Sequence, residues 1–382
     1  MALPLHRQPF KGIYYLSVFL ATVFVRLPFW ILIFLLTGSR PRPSWTFSRI
    51  IIVNSIRVVV SAIGTTHTWH DKIHAVEEFV DRADEHGLVF VEPVPDLIQG
   101  DIKDLAARNG VETVSVPGFW YGKRGDDEKA GQKAESGEKV IYQIHGMTFW
   151  NLGHCCSLTL ILRAFAVEYR IAQSSPLPPK NPFPSAIIDV ITGYNYLIHQ
   201  LGFEPSNILV MGESVGGTIA VALVRYLVAY ASTLPPPGAV FLMSPTADWG
   251  MSTRGPGSSF QRFRNTDYID GFWTGWAQQS MLGSLPPSEV ETNAWISPGS
   301  LNLSKPEGLF KGFPPTLIQA GGAEMTLDGI KVLRDRMHAD IEDALSYLEV
   351  PDGTHILLAW WWYEPEKSET YQKVARWASL GA

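Results

Sequence analysis

The chain has almost no cysteine: Cys155 and Cys156 are the only two, and they are neighbours. Adjacent cysteines close no useful loop, so a disulfide framework is excluded. His154 precedes them, but tetrahedral metal sites draw on more widely spaced ligands, and the pair reads as buried apolar side chains. Charge is scarce too, at 18% of residues against about 25% in a typical soluble domain. The net charge is −6 with no domain-scale cluster of Lys and Arg, which excludes a nucleic-acid backbone as partner. No internal repeat is visible. At 382 residues the chain has room for one large α/β domain or two smaller ones.

Aromatic residues, at 12%, are what the chain has in plenty. Together with the low charge they imply apolar surface that meets a membrane or a greasy ligand. The first such surface is near the N-terminus, where Ile13 to Thr37 is apolar over 25 positions and is interrupted only by Arg26 and Pro28. As one helix it would be about 37 Å long, enough to cross a hydrocarbon core of about 30 Å. Arg26 opposes a simple span, since a mid-membrane arginine costs at least about 2.5 kcal/mol unless it snorkels. Two shorter arms, Ile13–Val25 and Leu27–Thr37, would instead dip into one leaflet. The small residues Thr37-Gly38-Ser39 would suit a cleaved signal peptide, but the apolar core is long and interrupted for one. Membrane lipid is therefore the expected partner of residues 13–37, with topology open and the endoplasmic reticulum or a lipid droplet the expected location.

The rest of the chain divides by pattern. Residues 1–43 form the membrane-associated segment, and 44–382 a catalytic-type domain with an N-terminal cap (44–111) and a lid insertion (249–298). An amphipathic run covers Phe47 to Ile63. His67, His70 and His74 would share one face of a helix, but no carboxylate or cysteine motif accompanies them as further metal ligands. Glu112–Val116 is expected to be the first strand. Residues 123–139 carry ten charges of mixed sign and read as a solvated loop.

From Val140 strands and helices alternate. The strands are Val140–Ile144, Phe165–Tyr169, Ile208–Met211, Ala239–Met243, Pro315–Ala320 and Ser346–Val350. Helices are expected near Cys155–Leu162 and over Ala186–Leu201, Val215–Ala231 and Leu327–Met337. Such alternation predicts an α/β fold with a mostly parallel sheet and helices on both faces. The stretch from Asp248 to Pro298 breaks the rhythm and is long enough to lie over a pocket.

Reactive residues in such a sheet collect at the carboxyl ends of strands. Ser214 sits at one of them, in Val-Met-Gly-Glu-Ser-Val-Gly-Gly-Thr, between Gly212 and Gly216. Glycines suit a sharp strand-to-helix turn that lifts the serine hydroxyl, and the Val215 N–H would face a developing oxyanion. His145-Gly146-Met147 follows the strand Val140–Ile144, where Gly146 and Met147 would supply further N–H donors. Glu324 follows a third strand and His355 a fourth. The order Ser, Glu, His is that of the α/β-hydrolase triad. His338, the other histidine after Ser214, sits in a charged run and is the weaker base. Asp328 is the alternative acid; Asp248 and Asp352 read as turn or supporting residues.

Taken together, "IHGM", "VEYRIA", "NPFPSAIIDV", "ILVMGESVGG", "SPTADW", "PPTLIQAGGAE" and "DGTHIL" resemble, in order, the hormone-sensitive-lipase-like α/β hydrolases, over roughly residues 112 to 360. The N-terminus, ending in "RPRPSW", is similar to that of fungal membrane-anchored members related to steryl acetyl hydrolases. The resemblance implies an α/β-hydrolase fold with Ser214 as nucleophile, His355 as base and Glu324 as acid, where the family usually has Asp. It also implies an oxyanion loop, normally His-Gly-Gly-Gly or His-Gly-Gly-Ala, that here reads His145-Gly146-Met147-Thr148. Met147 takes up positive-φ conformations less readily than glycine and brings a side chain near the acyl site. His145 is expected to prop that loop, and Tyr169, Arg170 and Asp189 to be scaffold. The expected function is a serine carboxylesterase or lipase-like hydrolase acting on a lipophilic ester, such as an acetylated sterol, a small lipid or a metabolite ester, without metal or cofactor. The alternatives are acyl transfer to an alcohol, and a weakened scaffold that binds a ligand or tethers a partner at the membrane. The sequon Asn302-Leu303-Ser304 would suit a lumenal domain.

Overall fold

The computed structural model describes residues 4–68, 75–125, 129–146, 163–273 and 275–379. Met147, Thr148, the cysteine pair, His70, His74 and the helix expected near 155–162 lie outside them. Eight strands are described: β1 (Leu88–Val91), β2 (Val116–Tyr121), β3 (Val140–Ile144), β4 (Arg163–Val167), β5 (Ile208–Glu213), β6 (Ala239–Met243), β7 (Thr316–Gly321) and β8 (Leu345–Val350). They form one sheet in the order β1-β2-β4-β3-β5-β6-β7-β8. From β4 to β8 every pairing is parallel, while β2 runs antiparallel to both β1 and β4.

The expected first strand is corrected here. Glu112–Ser115 form no strand; β2 begins at Val116 and pairs with β1 in the register Leu88↔Phe119. Four residues at a sheet edge give too short a period-2 run to stand out in sequence. Part of the stretch expected to form a cap thus belongs to the sheet, and helix Gly100–Asn109 buries Ile102 and Leu105 in the same core.

Strands β3, β5, β6 and β7 are largely apolar and almost wholly buried because both faces of the sheet are covered. Val140, Tyr142, Val210, Val240, Leu242 and Ile318 point to one cluster, closed by helices Ser185–Asn195, Val215–Ala229 and Leu327–Ile341. Ile141, Met211, Phe241, Met243 and Leu317 point to the other, together with Val60 and Val374. Helices Phe47–Thr66 and Glu366–Ser379 supply those last two residues. The amphipathic run is therefore a layer of the core. Its first turn is capped by the Thr46 hydroxyl, which accepts the Arg49 N–H at 3.2 Å.

Along the N-terminus, α1 (Phe10–Ala21) and α2 (Leu27–Phe34) are joined by a π turn, Thr22–Arg26. Pro28 has no N–H to give to the carbonyl four residues earlier, and a π turn just before it absorbs the mismatch. The two expected apolar arms are thus one continuous helix, Phe10–Phe34. It packs on Phe47–Thr66, designated α3.

Candidate active site

Ser214 lies between β5 and helix Val215–Ala229, with φ +52° and ψ −120°. A non-glycine residue in that conformation is strained by about 1–3 kcal/mol and persists only where its surroundings hold it. Here the Ser214 N–H donates to Met243 O at 3.0 Å, and Ser214 O accepts from Thr246 at 2.9 Å and Gly217 at 3.0 Å. The flanking glycines are there for close approach: a Cβ on Gly212 would sit 2.6 Å from Gly216 O, and one on Gly216 would collide with the carbonyls of Ile144 and His145.

The loop after β8 brings His355 Nε2 to 2.8 Å from Ser214 Oγ. The loop after β7 brings Glu324 Oε2 to 2.9 Å from His355 Nδ1. Glu324 is fully buried and His355 nearly so. A carboxylate only accepts, so Nδ1 carries the proton and Nε2 is left as the acceptor facing the serine hydroxyl. Burial by itself would push the imidazole pKa down. The hydrogen bond and charge of Glu324, with the charges of Asp267 and Glu213, outweigh burial and hold it above its ordinary value.

Glu324 reaches the imidazole because it lies in a tight turn, and its other oxygen accepts the Gly321 N–H at 2.9 Å. Asp328, the alternative acid, faces elsewhere: it accepts the Ser259 N–H at 2.7 Å and pairs with Arg262 at 3.5 Å. Asp248 organises its own loop through Gly250, Ser252 and Thr253. Asp352 ties the loop carrying His355 to the N-terminal segment, through Arg42 at 3.0 Å and the Ser44 hydroxyl.

Val215 is the first residue of its helix, so its N–H has no intrahelical partner. Gly146 departs from expectation. Its N–H is donated to Glu213 Oε1 at 3.1 Å instead of pointing at an oxyanion position. His145 stacks on Tyr169 at 4.4 Å, and the Tyr169 hydroxyl donates to His145 O at 2.7 Å, the contacts of a loop support. Arg170 and the fully buried Asp189 pair at 2.8 Å behind them. His67 ends α3 in a left-handed conformation and packs against Trp276 at 4.8 Å.

Asp267 was not singled out by sequence. It is fully buried, and its carboxylate accepts the N–H groups of Tyr268 (2.8 Å), Met325 (2.7 Å) and His355 (3.3 Å). It thereby clips the backbone beside Glu324 to the backbone of His355. Burial pushes its pKa up to about 6, against the pull of His355. Tyr268 completes the clip by donating its hydroxyl to His355 O at 2.7 Å. No motif or spacing marks an aspartate in an irregular stretch.

Two cavities meet near Ser214. A small one of about 30 Å³ is bounded by Ser214, His355, Thr246, Ile269, Phe272 and Trp273. A larger one of about 110 Å³ lies beyond Val215, walled by Phe183, Ile187, Trp249, Trp276, Met281 and Trp295. Val215, Trp249 and Ala277 border both. The stretch 249–298 supplies much of each wall.

Comparison with known proteins places the α/β hydrolase fold family on residues 141–359. An esterase of Acinetobacter venetianus is 26% identical over 263 residues, covering 68% of this chain and 79% of that protein. An acetyl-hydrolase of Streptomyces hygroscopicus is 28% identical over 188 residues, covering 49% of this chain and 56% of that protein. Among solved structures, an esterase of the bacterial hormone-sensitive lipase family superposes with a TM-score of 0.55 at 23% identity. That match covers 86% of this chain and 96% of the other, a likeness of fold.

Proposed function

Because the chain belongs to the α/β hydrolase fold family, we propose that it is a serine hydrolase of lipophilic carboxylic esters, with Ser214 as nucleophile, His355 as base and Glu324 as acid. The esterase and acetyl-hydrolase relatives support carboxylic-ester hydrolysis. The observation that carries the finer reading is the unbroken relay Ser214 Oγ–His355 Nε2 (2.8 Å) and His355 Nδ1–Glu324 Oε2 (2.9 Å).

Ser214 Oγ attacks the ester carbon while its proton passes to His355 Nε2. The negative charge that develops on the carbonyl oxygen faces the Val215 N–H, with Met147 as second donor in place of Gly146. His355 then gives the proton to the alcohol oxygen, the C–O bond breaks, and an acyl-Ser214 ester is left. Water, deprotonated by the same histidine, releases the acid and restores the enzyme. Glu324 holds the imidazole tautomer and stabilises the imidazolium without itself taking a proton.

Indole and aliphatic walls suit an apolar group, in keeping with an acetylated sterol or similar lipid ester. The apolar N-terminal helix supports membrane association at the endoplasmic reticulum or a lipid droplet. Hydrolysis of p-nitrophenyl esters of increasing acyl length tests the reading. Turnover of at least one ester, lost in Ser214→Ala, is expected. Folded protein that turns over none, yet binds such esters, would favour the ligand-binding alternative.

A further inference from the structure

We propose that the N-terminal helix lies in the plane of one membrane leaflet, apolar face down, and does not cross the bilayer. The inference rests on the membrane association read above and fixes the geometry that reading left open. Three observations carry it.

First, the helix is held against α3 near both of its ends. Near its start the Tyr15 hydroxyl lies 2.9 Å from Thr66 Oγ1 and 3.0 Å from Thr68 Oγ1. At its end Phe34 packs against Trp45, Ile50 and Val53. It lies on α3, which is itself fixed to the domain at both ends. Arg49 pairs with Glu366 at 3.0 Å, and Gly64 approaches Gly271 so closely that a Cβ would lie 2.5 Å from its carbonyl oxygen. Between these points Arg57 donates to Arg264 O at 2.8 Å and Asn265 O at 3.2 Å. A helix spanning the bilayer in this arrangement would immerse the domain to the depth of about 20 residues, with its polar surface.

Second, the face turned away from the domain is apolar from end to end. Among the described residues, eleven of the eighteen exposed large hydrophobic side chains fall between Ile13 and Leu36, including Leu16, Phe24, Leu32 and Leu36 at 58–71% exposure. The Phe10–Phe34 helix, 25 residues, extends about 37 Å. Laid flat it buries this whole row in one leaflet.

Third, the orientation accounts for Arg26. Its guanidinium points to the domain side, donating to Thr22 Oγ1 at 3.0 Å and Val18 O at 3.4 Å. There it borders a polar cavity of about 310 Å³ shared with Tyr14, Trp30, Arg57, Tyr268 and Asp270. Asp270 is paired with Arg264 at 3.1 Å. An in-plane helix places this cavity at headgroup depth, where anionic phosphates complement the arginines. A spanning helix would put Arg26 in hydrocarbon. The same short segment, 268–273, divides this cavity from the one containing Ser214: Ile269, Phe272 and Trp273 face the serine, Tyr268, Asp270 and Gly271 the arginines.

The test is sidedness, read without reference to activity. The full-length chain carrying Gln8→Cys, Ser39→Cys or Ser368→Cys, all at exposed positions, is expressed in sealed microsomes and treated with a membrane-impermeant maleimide, before and after permeabilisation. Intact mass counts adducts beyond those of the unsubstituted chain. All three positions should share one state, each gaining one adduct before permeabilisation or each only after it. Residues 8 and 39 reacting from opposite sides would overturn the proposal. So would a chain that fails to float with phosphatidylcholine–phosphatidylserine vesicles and pairs with a second copy through the apolar row.

Discussion

At the scale of single residues, Ser214 carries its hydroxyl on a backbone that an L-residue adopts only under constraint, φ +52°. Ile356, the residue after His355, also has positive φ, at +42°. A β-branched residue in that conformation is an outlier, here fixed by an N–H donated to Ser244 Oγ at 3.0 Å. Strain on both sides of one hydrogen bond is what a preorganised nucleophile and base require. The acid should be equally specific. Glu324→Gln is expected to lower kcat by about 10⁴-fold, and Asp328→Asn, whose carboxylate faces Ser259 and Arg262, far less; steady-state rates on a p-nitrophenyl ester read the difference. Asp267 has a separate signature. Its negative charge raises the His355 pKa, and the base works only when neutral, so activity is lost as pH falls through that pKa. Asp267→Asn should move the acid limb of the kcat/KM profile to lower pH. Because one of the N–H groups it holds loses its acceptor, kcat should also fall by about 10²-fold. An unshifted limb with an unchanged rate would deny Asp267 any part in positioning His355.

At the scale of elements, the two loops after β7 and β8 were legible because each leaves the end of a strand through a glycine-containing turn with titratable side chains, Glu324 after β7 and Asp352 and His355 after β8. Glu324 was identifiable in this way although the family usually places Asp there. The strand-to-helix turn at Ser214 was legible for the same reason. What sequence did not disclose depends on contacts between residues more than fifty positions apart. Asp267 acts through backbone N–H groups 58 and 88 positions away, and Gly146 is engaged by a carboxylate 67 positions on. No local pattern records either. Edge strand β1 escaped notice because four residues leave too few turns of the period to count. α3 has the opposite history: its amphipathic pattern was visible, but that it closes a face of the sheet was not. Arg49 fastens it with two 3.0 Å bonds to Glu366 and a guanidinium 4.6 Å from the Tyr363 ring. Arg49→Ala should destabilise the fold by about 1.5–3 kcal/mol, measurable as a lower midpoint in urea. An unchanged midpoint would mean the helix is held by its apolar face alone.

At the scale of the whole molecule, the structure stacks three layers: an exposed apolar helix, a helix shared with the core, and the sheet with Ser214, His355 and Glu324 at its carboxyl edge. The apolar N-terminus was plain from composition, but its direction was not, since direction is set by where α3 is fixed. The triple substitution Leu16→Asp, Phe24→Asp, Leu32→Asp changes only exposed side chains. It should abolish co-flotation with vesicles and leave hydrolysis of a soluble ester within about twofold, because such surface changes alter stability little. Loss of both together would show that the helix supports the fold and does more than meet lipid.

The central claim concerns Ser214, and a fluorophosphonate probe tests it most directly, because it forms a covalent bond only with a serine whose base and oxyanion donors are in place. Intact-mass analysis of the native chain should show one adduct, located by peptide mapping on Ser214, and Ser214→Ala should show none. A folded native chain that remains unlabelled, or an adduct that persists in Ser214→Ala, would contradict the assignment.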